Sequence, residues 1–235
     1  MVKLPVFNRS ESYTVSPSKI IALGLNYRDH IAESHSVKVK GFTQEIPEEP
    51  ILFPKTPNVL IGPEEPIVIP AFLKGYRFDE LRTDYEAELA IVMKDECRSV
   101  SPENSLSHVF GYTCMNDVSQ RNLQTGDRSG WFRGKSLDTF GPVGPRILLQ
   151  EDVGDAQNLR IQCRLNGKTV QDSNTRHMIF SIPEIIAFVS KNFTLMPGDI
   201  ISTGTPSGVG SIKHGDVVEI EIEKIGVLRN PVIEE

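Results

Sequence analysis

The sequence predicts a mainly β protein of the α+β class, and three observations carry that prediction. Segments alternating apolar and polar residues recur along the chain, one of them runs into an Asn-Gly dipeptide, and stretches with helical periodicity are few and short. Between 83 and 92, Tyr85, Ala87, Leu89 and Ile91 fall on one face, the pattern of a half-buried strand. Val109 to Met115 reads as another strand. Leu159 to Leu165 alternates cleanly and leads into Asn166-Gly167, a hairpin signal because both residues tolerate positive φ. Beyond a turn at Gly215-Asp216, Val218, Ile220 and Ile222 point inward and Glu219, Glu221 and Glu223 outward.

The clearest helix runs from about Ile182 to Lys191. Ser181 and Glu184 form a capping box there, and Ile182, Ile185, Ile186 and Val189 repeat at helical spacing. Ser101-Pro102-Glu103 opens a shorter helix ending near His108, with Pro102 suited to the first helical position. A third starts around Asn26 and carries Arg28 to Glu33.

At 235 residues the chain holds one large domain or two small ones, taking roughly 150 residues per domain. No tandem repeat or low-complexity linker divides it, so the expectation is one domain, 19–235, preceded by an arm or edge strand over 1–18. A composition of 39% hydrophobic and 24% charged residues supports a sizeable core and excludes disorder of the whole chain. The 25 Lys and Arg are scattered among 31 Asp and Glu, leaving a net charge of −6, so nucleic acid is not an expected partner. Cys97, Cys114 and Cys163 have no metal-ligand spacing and are read as reduced, buried thiols of a cytoplasmic protein. No secretory apolar stretch opens the chain, and none approaches the roughly 18 apolar residues of a membrane span.

Several residues are candidates for chemistry. Glu86 and Glu88 share one strand face, and two like charges that close raise each other's pKa unless something positive intervenes. Either the face is solvated, with a Lys or Arg opposite, or the pair holds a hard divalent cation. Asp117 ends a strand-like run and either adds a third carboxylate to such a site or caps a helical turn beginning at Val118. His30 and Glu33, at i and i+3, are either a carboxylate-oriented general base or a surface pair. Lys135 is either solvated or held for an oxyanion. Thr203 to Gly210 lacks the pattern of a nucleotide loop, and is either a tight turn or a backbone approach to a substrate carboxylate. His35, His108, His177 and His214 show no ligand spacing, and neither a Gly-x-Ser-x-Gly elbow nor a His-Glu-x-x-His motif is present.

In order, the blocks Gly24-Leu25-Asn26-Tyr27-Arg28-Asp29-His30, Asp84-Tyr85-Glu86-Ala87-Glu88-Leu89, Gly111-Tyr112-Thr113 with Asn116-Asp117-Val118-Ser119, Gly134-Lys135-Ser136 with Asp138 and Gly141-Pro142, Leu195 to Asp199, and Gly204-Thr205-Pro206-Ser207-Gly208-Val209-Gly210 resemble the fumarylacetoacetate hydrolase family, from Lys19 over nearly the whole chain. The resemblance implies a mixed β-sandwich or β-roll, a homodimer, and an Mg²⁺ or Mn²⁺ ion held by Glu86, Glu88 and Asp117. It also implies a His30–Glu33 dyad on a short lid helix and a catalytic Lys135. Arg121, Gln124, Thr205 and Arg28 would bind substrate. Residues 34–49, where a substrate-choosing lid is expected, match no branch of the family.

The function so implied is metal-dependent cleavage of a C–C bond in a small 2-oxo or 2,4-dioxo acid, through a metal-stabilised enolate. Acylpyruvate or fumarylpyruvate hydrolysis and oxaloacetate decarboxylation both fit. The alternative is an isomerase or tautomerase of the 2-hydroxyhepta-2,4-diene-1,7-dioate or oxaloacetate type, and a non-catalytic binding module on the same fold is the rival from another class.

Overall fold

The computed structural model describes residues 1–33, 46–126 and 131–235. The chain opens with an antiparallel hairpin of β1 (Val2–Pro5) and β2 (Ser12–Val15). Next come β3 (Ile20–Gly24), helix α1 (Arg28–Glu33), β4 (Ile51–Lys55), β5 (Leu60–Ile61), β6 (Ile67–Ile69), β7 (Thr83–Tyr85) and β8 (Ala87–Met93). The middle of the chain supplies α2 (Pro102–Ser105), β9 (Val109–Asn116), β10 (Ser119–Gln120), α3 (Arg121–Gly126), α4 (Trp131–Lys135) and β11 (Gly141–Leu149). Helix α5 (Gln150–Val153), the hairpin β12 (Arg160–Leu165) and β13 (Lys168–Asn174), α6 (Ile182–Asn192), β14 (Ile200–Ser202), β15 (Gly210–Ser211), β16 (Val217–Ile222) and β17 (Gly226–Glu234) complete it.

Among the described residues the strands form a mixed, curled sandwich. A seven-stranded sheet in the order β4-β3-β14-β8-β9-β11-β5 faces a five-stranded one, β13-β12-β16-β17-β6, and a small sheet β10-β7-β15 stands beside them. The mainly β reading therefore holds. The hairpin signal also holds, with Asn166 and Gly167 at φ 52° and 78°. On β16 the inward set is buried, while Arg164 reaches across to Glu219 at 3.1 Å and Glu221 at 2.6 Å. Helix α6 carries the capping box and lays Ile182, Ile185, Ile186 and Val189 into the core. The predicted helix over 101–108 is α2 followed by a 3₁₀ turn, Leu106–His108.

One expectation needs correcting: β8 is buried on both faces. Leu89, Ile91 and Met93 enter the large core between the two main sheets, with Ile161 and Cys163 of β12 and Ile220 and Ile222 of β16. Ala90 and Val92 enter a second, smaller core with Leu4 and Val15 of the N-terminal hairpin, Ile147 and Ile200. The sequence carries a trace of this, because alternation lapses after Glu88 into an unbroken apolar run, the mark of a strand covered on two sides. Each large apolar side chain so buried contributes about 1.5–3 kcal/mol. Cys97, Cys114 and Cys163 are free and buried. Among the described residues no helix is long and apolar enough to cross a membrane.

Asp199 fastens the segment after the N-terminal hairpin to the start of β14. Its Oδ1 accepts from Ser18 N, Ser18 Oγ and Lys19 N at 2.7–3.0 Å, and its Oδ2 from Met196 N at 2.8 Å and from Lys19 Nζ. Burial alone would raise this carboxyl, but the Lys19 ammonium and the backbone donors outweigh it and hold it below the usual range. A lowered folded-state pKa gives stability that is present above the unfolded value of about 3.9 and is lost as pH falls through the folded one. Asp199→Asn is expected to cost about 2–3 kcal/mol at pH 7 and to shrink that acid-dependent part, as read by urea unfolding across pH.

Candidate metal centre and its pocket

Strands β8 and β9 run antiparallel with Glu88 opposite Met115 and Ala87 opposite Asn116, which brings the start of one strand beside the end of the other. Glu86 precedes β8, Glu88 lies within it and Asp117 follows β9. Two backbone ties set the junction: Glu86 N donates to Asn116 Oδ1 and Asp117 N to Glu86 O, each at 2.9 Å. The three carboxylates each offer an oxygen within 4.8 Å of the others. They are 5%, 0% and 0% exposed, so the solvated-face alternative does not apply. Asp117 caps no helix either, since α3 begins only at Arg121 after strand β10.

Two buried lysines grip Asp117. Lys55 Nζ donates to Oδ1 and Lys135 Nζ to Oδ2, both at 2.6 Å, and Lys135 also reaches Glu86 Oε2 at 2.8 Å. Lys135 is 2% exposed, which excludes a solvated lysine, and its ammonium stands 4.9 Å over the Phe53 ring. Burial would raise the Glu86 carboxyl, but the charges of Lys135, Arg121 and His30 reverse this and hold it low. Burial pushes the Glu88 carboxyl well up, and the neighbouring Asp117 and Glu86 charges add to that. Burial opposes the charge on both lysines. It prevails at Lys55, while Asp117 and Glu86 overcome it at Lys135.

The residues fit a divalent cation. Burial and the adjoining Asp117 and Glu86 charges push the Glu88 carboxyl up, and a divalent cation among the three would relieve that repulsion. Glu88 Oε2 accepts from Ser202 Oγ and from Gly204 N, whereas its Oε1 is buried with no hydrogen-bond donor among the described residues. An oxygen with no donor inside an oxygen-rich cluster suits a hard metal ion.

Beside the cluster is a narrow pocket with two kinds of wall. Glu86, Lys135, His30, Gln124 and Thr205 make it polar, while Leu23, Leu25, Phe53 and Trp131 make it apolar. His30 is 6% exposed, near the start of α1. Gln124 Nε2 is buried without a partner among the described residues, while its Oε1 accepts from Arg121 at 2.8 Å. Thr205 Oγ1 accepts from Gln171 Nε2 at 2.9 Å, and Gln171 Oε1 accepts from Ala87 N at 3.1 Å, so one side chain ties the Gly-rich loop to β8. In that loop Gly204 has φ +92°, and a Cβ there would meet Asn26 Cβ at 2.8 Å, so glycine is required. The Gly204 amide is spent on Glu88.

Two proposed substrate contacts are placed otherwise. Arg121 is buried, bonded to Asp84, Glu86 and Gln124, and lines not this pocket but a separate cavity with Arg77, Arg82 and Asn122. Arg28 is exposed and does not line the pocket. The Glu33 side chain, His35 and residues 34–45 of the expected lid lie outside the described residues. Lys55, Asp84 and Ser202 join the site beyond the residues expected from sequence. Lys55 had a signal: Phe53 and Lys55 share a strand face by period two, which places a lysine on an inward face. Asp84, Glu86 and Glu88 likewise recur at every second position. Ser202 in the apolar β14 had none. Of the other histidines, His108 pairs with Asp95 at 2.5 Å, His177 Nδ1 lies 3.3 Å from Ser173 Oγ and His214 Nδ1 accepts from Glu234 N, all outside the cluster.

Fold and site together define a curled mixed β-sandwich with a buried, metal-compatible carboxylate triad at the edge of a polar pocket. Residues 19–233 match the family described as fumarylacetoacetate (FAA) hydrolase, C-terminal, and the chain belongs to that family of enzymes. The mitochondrial oxaloacetate tautomerase FAHD2A of Bos taurus is 39% identical over 244 residues, covering 98% of this chain and 73% of that protein. Among solved structures, a 2-hydroxyhepta-2,4-diene-1,7-dioate isomerase from Mycobacterium marinum aligns at TM-score 0.80 and 35% identity, covering 96% of this chain and 82% of that one. The fumarylpyruvate hydrolase of Pseudomonas aeruginosa, solved with Mn²⁺ and pyruvate, aligns at TM-score 0.85 and 26% identity over 100% and 96% of the two chains.

Proposed function

We propose that the protein is an Mg²⁺- or Mn²⁺-dependent enzyme that cleaves a C–C bond in small 2-oxo or 2,4-dioxo acids, by hydrolysis of an acylpyruvate or fumarylpyruvate, or by decarboxylation of oxaloacetate. The observation that carries this reading is the buried triad Glu86, Glu88 and Asp117 bordering a pocket that also holds His30, Lys135, Gln124 and Thr205. When bound, the divalent cation supplies a Lewis acid for the negative charge that develops when the bond beta to the ketone breaks. Thr205 and the unpartnered Gln124 amide offer donors to the substrate's oxygens. In hydrolysis His30 takes a proton from water, oriented by Glu33 three residues along α1, and the hydroxide attacks the carbonyl farther from the carboxylate. Lys135 stabilises the resulting oxyanion. Decarboxylation needs no attacking water. Arg121 acts through Glu86 and Gln124 rather than by touching substrate, and the exposed Arg28 has no part in this reading.

A second reading, an isomerase or tautomerase that only moves a proton, is favoured by what the Bos taurus and Mycobacterium marinum relatives are said to do. Acetylpyruvate, fumarylpyruvate and oxaloacetate supplied with Mg²⁺ or Mn²⁺ separate the two, following pyruvate and enol absorbance. Pyruvate release is expected. None, with faster keto–enol exchange of oxaloacetate, selects the tautomerase, and full activity after chelator treatment would overturn both. His30→Ala is expected to lower hydrolysis about 10²-fold with Mn²⁺ affinity unchanged by calorimetry. The same proposal includes a homodimer, checked by light scattering, and a reducing cytoplasmic setting in keeping with the free thiols.

A further inference from the structure

Asp84 is fully buried in β7, the middle strand of the small sheet, where it lies opposite Ser119 of β10 and Ser211 of β15. Both of its oxygens are used. Oδ2 accepts from Arg121 Nε at 2.8 Å, and Oδ1 from Arg82 Nε at 3.0 Å and Ser211 Oγ at 3.2 Å. Arg121 follows β10 directly, and its backbone N donates to Arg82 O at 2.9 Å, so the same sheet holds both ends of the pair. The guanidinium then reaches Glu86 Oε1 through Nη2 and Gln124 Oε1 through Nη1. Each of its three nitrogens donates one hydrogen bond to protein, so the guanidinium is held in place from three directions. A self-sufficient Asp–Arg pair would close with two parallel bonds. Here Asp84 takes only Nε and directs the fork onward.

We propose that Asp84 is a positioning residue of the metal centre: by pinning Arg121 through Nε it fixes the Glu86 carboxylate in the orientation that receives the divalent cation. The inference rests on the metal-dependent reading above. Asp84 also supplies a balancing charge. Without it, Arg121 would lose its Nε partner and would compete with the ion for Glu86.

The test is the affinity of the full-length protein for Mn²⁺ alone, read by electron paramagnetic resonance of the unbound ion, beside thermal unfolding of the metal-free form. Asp84→Asn is expected to weaken Mn²⁺ binding about 10–100-fold, the usual cost of losing a group that orients a metal ligand. Asp84→Glu keeps the charge but displaces it by one methylene, and is expected to lose about 10-fold. A folded variant of either kind with unchanged affinity overturns the proposal, as does loss of the cooperative transition in both, which would assign Asp84 to folding alone. If Asp84→Asn alone fails to fold, Asp84→Glu decides. A wild-type chain that binds no Mn²⁺ would instead remove the metal-dependent reading itself.

Discussion

Replacing Glu88 with glutamine is expected to cut turnover about 10³–10⁴-fold, equivalent to about 4–5.5 kcal/mol of transition-state stabilisation, while leaving the metal-free protein at least as stable as the parent. The two effects have one cause. Glu88 is fully buried, like Asp117, and burial together with its acidic neighbours pushes its carboxyl well above the usual range. A glutamine of the same shape accepts the Ser202 and Gly204 donors as before and offers an amide N–H₂ where an ionised oxygen would repel Glu86 and Asp117. What it removes is the unpartnered Oε1, and with it one of three anionic ligands. Calorimetry with Mn²⁺, activity against 2-oxo acids and thermal unfolding with chelator test this together. Wild-type Mn²⁺ affinity in the variant, or a strongly destabilised metal-free form, would count against the site.

Lys135→Met is expected to make folding depend on the metal. The lysine is 2% exposed and bridges Glu86 and Asp117, so removing it strands buried carboxylates short of a counter-ion, a change that costs about 3–5 kcal/mol. Lys135 keeps a raised pKa in the folded chain, so its contribution is complete below its unfolded pKa of about 10.4 and fades only as pH rises through the folded value. The loss should therefore be full at neutral pH. It should shrink in acid, because the stranded carboxylates of the variant protonate more readily in the folded chain. Divalent cation at about 100 times its Kd should restore about 2.7 kcal/mol if it binds only the folded form. Urea unfolding with and without Mn²⁺ measures this, and catalysis is expected to fall about 10²–10³-fold even where folding is restored. Equal stability with and without the ion would argue that Lys135 and the cation do not share ligands.

What the chain reveals in linear form follows the range of the interaction responsible. The Asn166-Gly167 hairpin, the Ser181 capping box and the alternation of β16 are local, and each appears as expected. Glu86 and Glu88 share a face for equally local reasons, but whether that face meets water or an ion depends on what packs over it. Lys55 on β4 and Lys135 on α4 do so, and neither is near β8 in the chain. The double burial of β8 likewise needs the N-terminal hairpin, more than seventy residues away in the sequence. Arg121 is the instructive case. Its spacing to Gln124 matches a substrate-binding pair, and only the register of Ser119 against Asp84 shows that its guanidinium is already engaged.

The strand that bears the acidic ligands is also the one pressed between two oily layers, and this has an evolutionary consequence. Any substitution that shifts Glu88 disturbs packing on both sides, so new chemistry is costly to acquire there. The wall formed by Leu25, Phe53 and Trp131 sits on a helix approach, an outer strand and a short helix, where mutations cost less. Descendants of this scaffold should thus diversify in what they accept long before they alter how they react.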